Sequence, residues 1–246
     1  MKAETARPTV FGPATDVGVL DKVMRILSVL ERAPCSLAEL TVETGFHRAT
    51  AHRLATALEE HGMVRRNTDG RFALGTRLVT LGAAAGAGLP LREAARPILE
   101  RLTAATGEST QLYLRQGAHR VCVESVESPH SLRTIVSLGA VLPLHLGSAG
   151  KVLSGELHAV EQQRGWVESV GEREAGVASV SAPVHDRLGN VVAAVSVSGP
   201  IERTTTSPGA RYGVAVSEAA RALEQASQAS PASPSPASPS PASRTI

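Results

Sequence analysis

Four serines form the first chemical pattern in the chain. Ser179 and Ser181 stand two residues apart, as do Ser196 and Ser198, each pair within a run of valine and alanine. In an extended chain, residues two apart share a face, so each pair lines one side of its strand while Val195 and Val197 take the other. Hydroxyls beside apolar side chains can hold a small polar molecule, because a hydroxyl both donates and accepts. The residues alone leave a second reading open, in which small serines relieve crowding beneath a packed helix. A different chemistry gathers nearer the N-terminus. His47, Arg48, Thr50 and Arg53 occupy the polar faces of a segment whose Ala51, Leu54, Ala55 and Leu58 make an apolar stripe. Side chains at the first turn of such a helix reach base edges in a DNA groove, and an arginine one turn later reaches a phosphate.

Other chemistries fail on spacing. Gly147-Ser148-Ala149-Gly150-Lys151 ends like a phosphate loop, but it lacks the four-residue gap between glycines, and Val152 stands where Ser or Thr should follow lysine. His47 and His52 lie five apart with no second pair, so neither a metal nor another cofactor is expected. No Gly-x-Ser-x-Gly elbow occurs. A small hydrolase with an appended helical domain is the rival class. The two cysteines, Cys35 and Cys122, fall in separate modules, which fits a reducing cytoplasm and a core role for Cys122.

These residues need elements to carry them. Leu20, Val23, Leu27 and Leu30 recur at helical steps and predict a first helix ended by Pro34. Ser36-Leu37-Ala38-Glu39 is a capping box that opens a second, with Leu37 and Leu40 inward. Gly45 then supplies the backbone freedom for a tight turn into the helix bearing Arg48. That order is helix-turn-helix, whose second member enters the major groove. Met63–Arg66 and Arg71–Leu74 flank Asp69-Gly70 and predict a hairpin wing carrying Arg65, Arg66 and Arg71. From His47 to Arg71 there are five arginines against three acids, a local excess suited to phosphate. Farther on, 91–106 reads as a helix, and 111–115, 120–125, 177–184 and 191–198 read as strands. Asp186–Asn190 turns the last two into a hairpin. Helices before and after such a sheet make an α+β domain.

The whole chain, 246 residues with a net charge of +2, holds no apolar run of membrane-spanning length and no export signal. The charge is too small to argue for nucleic acid by itself, so that reading rests on where the arginines sit. Residues 227–246 repeat Pro, Ala and Ser and cannot bury a core, and 1–16 read as a disordered arm.

Gly18-Val19-Leu20-Asp21-Lys22, Ser36–Leu40, Arg48-Ala49-Thr50-Ala51-His52-Arg53-Leu54, Gly70–Gly75, Gly147–Lys151 and Ser196–Pro200 resemble the isocitrate lyase regulator (IclR) family of transcription regulators. Within it, Thr106–Tyr113 and Gly171–Pro183 look most like actinobacterial NdgR-type regulators of amino-acid metabolism. The resemblance implies a winged helix-turn-helix over 17–75, a linker helix over 76–90 and an α+β effector-binding domain with an antiparallel sheet over 91–226. It also implies double-stranded operator DNA as partner, a carboxylate or amino-acid-like effector, and a homodimer or homotetramer. The apolar segment Leu78–Ala87 is the expected dimer contact. DNA contacts fall to His47, Arg48, Ala49, Thr50, His52, Arg53, Arg65, Arg66 and Arg71. The residues matching the family's effector cup are Leu132, Ile135, Ser148, Ala149, Val177, Ser179, Ser196 and Ser198, near a position, Ser169, that is often acidic in relatives. The backbone amides at Ser148 and Ala149 open a helix and are expected to favour an anion. Between Leu153 and Arg164 the family has a longer segment, so an incomplete pocket and a constitutive DNA binder form the alternative.

Overall fold

The computed structural model describes residues 17–87, 90–155 and 159–229. The arm expected over 1–16 lies outside them, as does the expected tail from 230 onward. Two compact units divide the chain, Met1–Leu89 and Pro90–Ile246.

The first unit holds α1 (Gly18–Arg32), α2 (Leu37–Thr44), α3 (Arg48–Glu60), a hairpin of β1 (Val64–Arg66) and β2 (Phe72–Leu74), and α4 (Thr76–Ala87). Ile26, Val29 and Leu30 of α1 pack with Leu40, Ala55, Leu58, Val64 and Phe72 into one core. Of the stripe read from the sequence, Leu30 lies in this core and Val23 and Leu27 pack against it. Leu20 is 54% exposed, because the core meets only the later turns of α1, where Ile26 is fully buried. The capping box forms as expected, with Glu39 N–H donating to Ser36 Oγ and Ser36 N–H donating to Glu39 Oε2 at 2.7 Å. Gly45 ends α2 at φ 68°, the left-handed conformation that the turn into α3 requires. In the hairpin turn, Asn67 Oδ1 accepts from the amides of Asp69 and Arg71. Fully buried Phe72 anchors β2 and bridges to Cys35.

The second unit is an antiparallel six-stranded sheet in the order β5-β4-β3-β8-β7-β6. Its strands are β3 (Ser109–Gln116), β4 (His119–Val126), β5 (Val141–Pro143), β6 (Val167–Val170), β7 (Val177–His185) and β8 (Val191–Pro200). Between and around them run α5 (Pro90–Thr106), α6 (Ser148–Ser154), α7 (Ala159–Arg164), α8 (Ile201–Thr204) and α9 (Pro208–Ala229). Strand alternation sorts the core. Leu112, Val180, Ala182, Val184, Val195 and Val197 face α5 and α9, burying that side of the sheet. Tyr113, Cys122, Val167 and Ala194 face the other way, against Ala149, Val152 and Leu153 of α6. The strands expected at 111–115, 120–125, 177–184 and 191–198 are present and slightly longer. The two edge strands β5 and β6, three and four residues long, carry too short a pattern to be read from sequence. At the C-terminus α9 continues to Ala229, three residues into the expected tail. Among the described residues no helix is long and apolar enough to cross a membrane.

Candidate functional site

Two sets of side chains carry chemistry, one in each unit. In the first, α3 turns Ala51, Ala55 and Leu58 inward, and helical periodicity then forces Arg48, Ala49, His52 and Arg53 outward. All four are exposed, as is His47 at the N-cap, and Thr50 is half-buried. None of Arg48, Arg53 and Arg65 has a hydrogen-bond or ion-pair partner among the described residues. The other two wing arginines are engaged. Arg66 stacks 3.9 Å from the Phe72 ring centroid, donates to Gly70 O and pairs with Glu59 at 3.5 Å. Arg71 donates to Pro34 O and, at 2.6 Å, to Glu39 Oε2. The same carboxylate thus caps α2 and holds the base of the wing. The Arg71 hydrogen bond, helped by Ser36, holds the Glu39 carboxyl down at about 2. The sequence reading sets Arg66 and Arg71 on phosphate; both also hold protein partners that brace the wing.

In the second unit a narrow cleft of roughly 20 Å³, open to solvent on one side, lies between α6 and the sheet. Of the residues expected there, Ser148, Ala149, Val177, Ser179, Ser196 and Ser198 line it. The serines form a chain: Ser148 Oγ lies 2.7 Å from Ser179 Oγ and 2.8 Å from Ser181 Oγ, and Ser181 donates to Ser196 at 3.0 Å. Ser198 donates to Gln111 Oε1, behind it on β3. Register explains the cluster, since Ser179 pairs with Ser198 and Ser181 with Ser196 across β7 and β8.

Leu132 and Ile135, expected in the effector cup, do not line this cleft. They are 64% and 58% exposed, in an extended segment that turns Thr134 and Val136 inward instead. The alternation of that segment was out of phase with the assumed cup. Sequence reasoning missed Tyr113, Arg120 and Arg173, and noted Ser169 only as a departure from relatives; all four line the cleft. Arg120 is a buried arginine within a strand, the one signal that could have marked it.

Arg120 reaches the cleft from β4 and is only 3% exposed. It donates to the carbonyls of Pro143 and Leu146, and its Nε has no partner. Burial pulls its pKa down, and the neighbouring Arg173 charge pulls the same way. Gly150 makes room for it, since a Cβ there would lie 2.6 Å from Arg120 Nη1. One amide at the start of α6, that of Gly147, is already supplied with an anion. Gly147 N–H donates to Glu172 Oε2, and Lys151 Nζ pairs with Glu172 Oε1 at 2.5 Å. Burial opposes ionisation of Glu172, but the Lys151 pair and the Gly147 amide outweigh it and lower its pKa. A bulge on β4 beside Leu112 and Tyr113 sets Cys122 on the cleft side, while Glu124 turns to Arg92 and Arg96 of α5. Burial pushes the Cys122 thiol up to about 12, consistent with a core residue. Among the described residues no group of three His, Cys, Asp or Glu side chains could hold a metal.

Residues 19–68 match the family profile "IclR helix-turn-helix domain", and residues 83–164 and 153–225 match "Bacterial transcriptional regulator IclR C-terminal". The chain belongs to the IclR family. It is a DNA-binding transcriptional regulator with an IclR-type effector domain. The two C-terminal matches overlap at the short link between α6 and β6, where the sequence reading finds the IclR segment shortened. The chain is 26% identical over 210 residues to the HTH-type transcriptional regulator KipR of Bacillus subtilis, covering 72% of this chain and 84% of that one. It is 29% identical over 211 residues to the glycerol operon regulatory protein of Streptomyces griseus, covering 74% and 83% respectively. The fold matches the crystal structure of an IclR homologue from Microbacterium hydrocarbonoxydans complexed with 4-hydroxybenzoate. There the TM-score is 0.75 at 23% identity, over 86% of this chain and 99% of that one.

Proposed function

We propose that this IclR-family regulator reads its operator with the exposed face of α3 and adjusts that binding to a carboxylate or amino-acid-like metabolite held in the serine-lined cleft. The observation that carries the DNA reading is the contrast among arginines. Among the described residues, Arg48, Arg53 and Arg65 stand exposed without hydrogen-bond or ion-pair partners, while Arg66 and Arg71 also brace the wing. In this reading His47, Arg48, Ala49, Thr50 and His52 meet base edges, and Arg53 and Arg65 meet phosphates. Residues 17–75 act as the DNA-binding module, 76–90 as the link and 91–226 as the sensor. The NdgR-like segments favour amino-acid metabolism, leucine genes included, as the regulated set.

The test is a titration of Arg48→Ala and Arg65→Ala on specific and random DNA at several salt concentrations. Arg48→Ala is expected to lose about 1–3 kcal/mol of discrimination if it contacts a guanine. Arg65→Ala should weaken both DNAs alike and reduce the salt slope by about 1. An unchanged ratio of specific to non-specific affinity in Arg48→Ala removes it as a base reader. A second reading, a constitutive binder with an incomplete cleft, is favoured by the shortened link between α6 and β6. DNA affinity indifferent to every metabolite tried, with no ligand bound by the isolated chain, would support it.

A further inference from the structure

We propose that Arg120 and Arg173 form an anion subsite at one end of the cleft, so that the effector is a small carboxylate whose other, hydroxyl- or amino-bearing end meets the serines. This rests on the effector reading above and adds to it the side chains that set the ligand's charge. Both arginines line the cleft with Ser148, Ser179 and Ser198. The guanidinium of Arg120 is almost wholly buried and lies 5.4 Å from the Tyr113 ring centroid, yet its hydrogen-bond partners among the described residues are backbone carbonyls, no carboxylate pairs with it, and its Nε is left over. A buried charge without a counter-charge is costly, and a buried N–H without an acceptor adds to that cost. A ligand carboxylate would relieve both.

The protein's own carboxylates do not serve. Glu172 is committed to Lys151 and the Gly147 amide. Glu168 accepts from Gly209 N–H, and Glu174 meets Arg173 only at 3.6 Å and is largely exposed. The Gly147 amide at the start of α6 is likewise taken, by Glu172. The slot is built for the arginine: a side chain at Gly150 would strike Arg120 Nη1 and Leu144 O, and one at Gly147 would touch Arg120 Nη2 at 3.5 Å. A glycine-lined recess around a cation with a spare donor selects an anion by charge and by a directed hydrogen bond.

The experiment is titration calorimetry on the full chain with paired probes: 4-hydroxybenzoate and 4-hydroxybenzamide, leucine and leucinamide, 2-oxo-4-methylpentanoate, and inorganic phosphate. Wild-type protein should bind at least one of the acids, and the matching amide at least about tenfold more weakly. Arg120→Gln and Arg173→Gln should each weaken the acid by about tenfold or more, leaving the amide unchanged. Arg173 is the partly exposed member of the pair, so its variant keeps the question open to test should Arg120→Gln fail to fold. Ser198→Ala should weaken acid and amide together. Equal binding of acid and amide, both sensitive to Ser198→Ala, would overturn the anion subsite while sparing the serine cleft. Phosphate binding stronger than every carboxylate would overturn the carboxylate assignment. If none of the probes binds at millimolar concentration, the anion subsite and the effector reading fall together.

Discussion

Glu39 is a single carboxylate with two duties, and its chemistry is testable by pH. It accepts the Ser36 amide and pairs with Arg71 at 2.6 Å, so its ionised form is favoured in the folded chain. Its folded pKa, about 2, lies below its ordinary value of 4.5. A lowered acid pKa contributes stability that is present above the ordinary value and is lost as pH falls toward the folded one. The clasp between α2 and the wing should therefore loosen progressively between about 4.5 and about 2. Carboxyl-detected NMR titration should find Glu39 depressed in the wild type and restored toward 4.5 in Arg71→Ala. A Glu39 that titrates identically in both proteins would remove the bridge. The capping box was legible in the sequence because its partners are three residues apart. The Arg71 bridge was not, since it spans 32 residues and depends on where the wing folds back.

At the scale of elements, α9 is fitted to a single side chain. A Cβ at Gly213 would lie 2.5 Å from the indole of Trp166, and one at Gly209 would overlap the same ring. The helix thus offers a glycine-lined notch, four residues apart and on one face, into which the residue before β6 inserts. Ser217 tightens the joint by donating to Gly165 O at 3.1 Å. Replacing Gly213 with alanine should cost about 1–3 kcal/mol through overpacking. It should also shift the emission of Trp166, the chain's single tryptophan, to the red as the ring is levered toward water. Chemical denaturation followed by that fluorescence measures both, and an unaltered midpoint would contradict the notch. Composition marks neither glycine as special, because the notch exists only once β6 docks beside α9.

At the scale of the whole molecule, self-association is expected to cover exposed apolar side chains. On α4, Val79 is 72% and Leu81 43% exposed, and on α1 Val19 and Leu20 are both more than half exposed. Exposed apolar side chains on two helices of one small unit are what a two-fold interface would cover. Paired α3 helices on such an axis would read half-sites about one helical turn apart, or a multiple of that. Val79→Glu should shift sedimentation toward monomer at micromolar concentration and weaken operator binding more than binding to a single half-site. A variant that sediments like the wild type and keeps its operator affinity would move the interface elsewhere.

The sequence by itself determined what depends on near neighbours. The capping box at Ser36, the left-handed Gly45, the Asp186–Asn190 turn and the two-residue alternation of the serines are set within a few bonds of chain, so they could be read directly. The order of helices, wing and sheet followed from those signals, and the family resemblance from their sum. Tertiary structure alone decided which side chains share the cleft. Tyr113, Arg120, Ser169 and Arg173 come from β3, β4, β6 and the loop before β7, and only the sheet order brings them beside Ser148. It also turned Leu132 and Ile135 outward, because a segment outside the sheet takes its phase from Thr134 and Val136, the residues it can bury. It placed Glu172 on the Gly147 amide across 25 residues and set Arg120 beside the cleft. Charge balance in a buried site is a sum over partners distant in sequence, and no local pattern contains that sum.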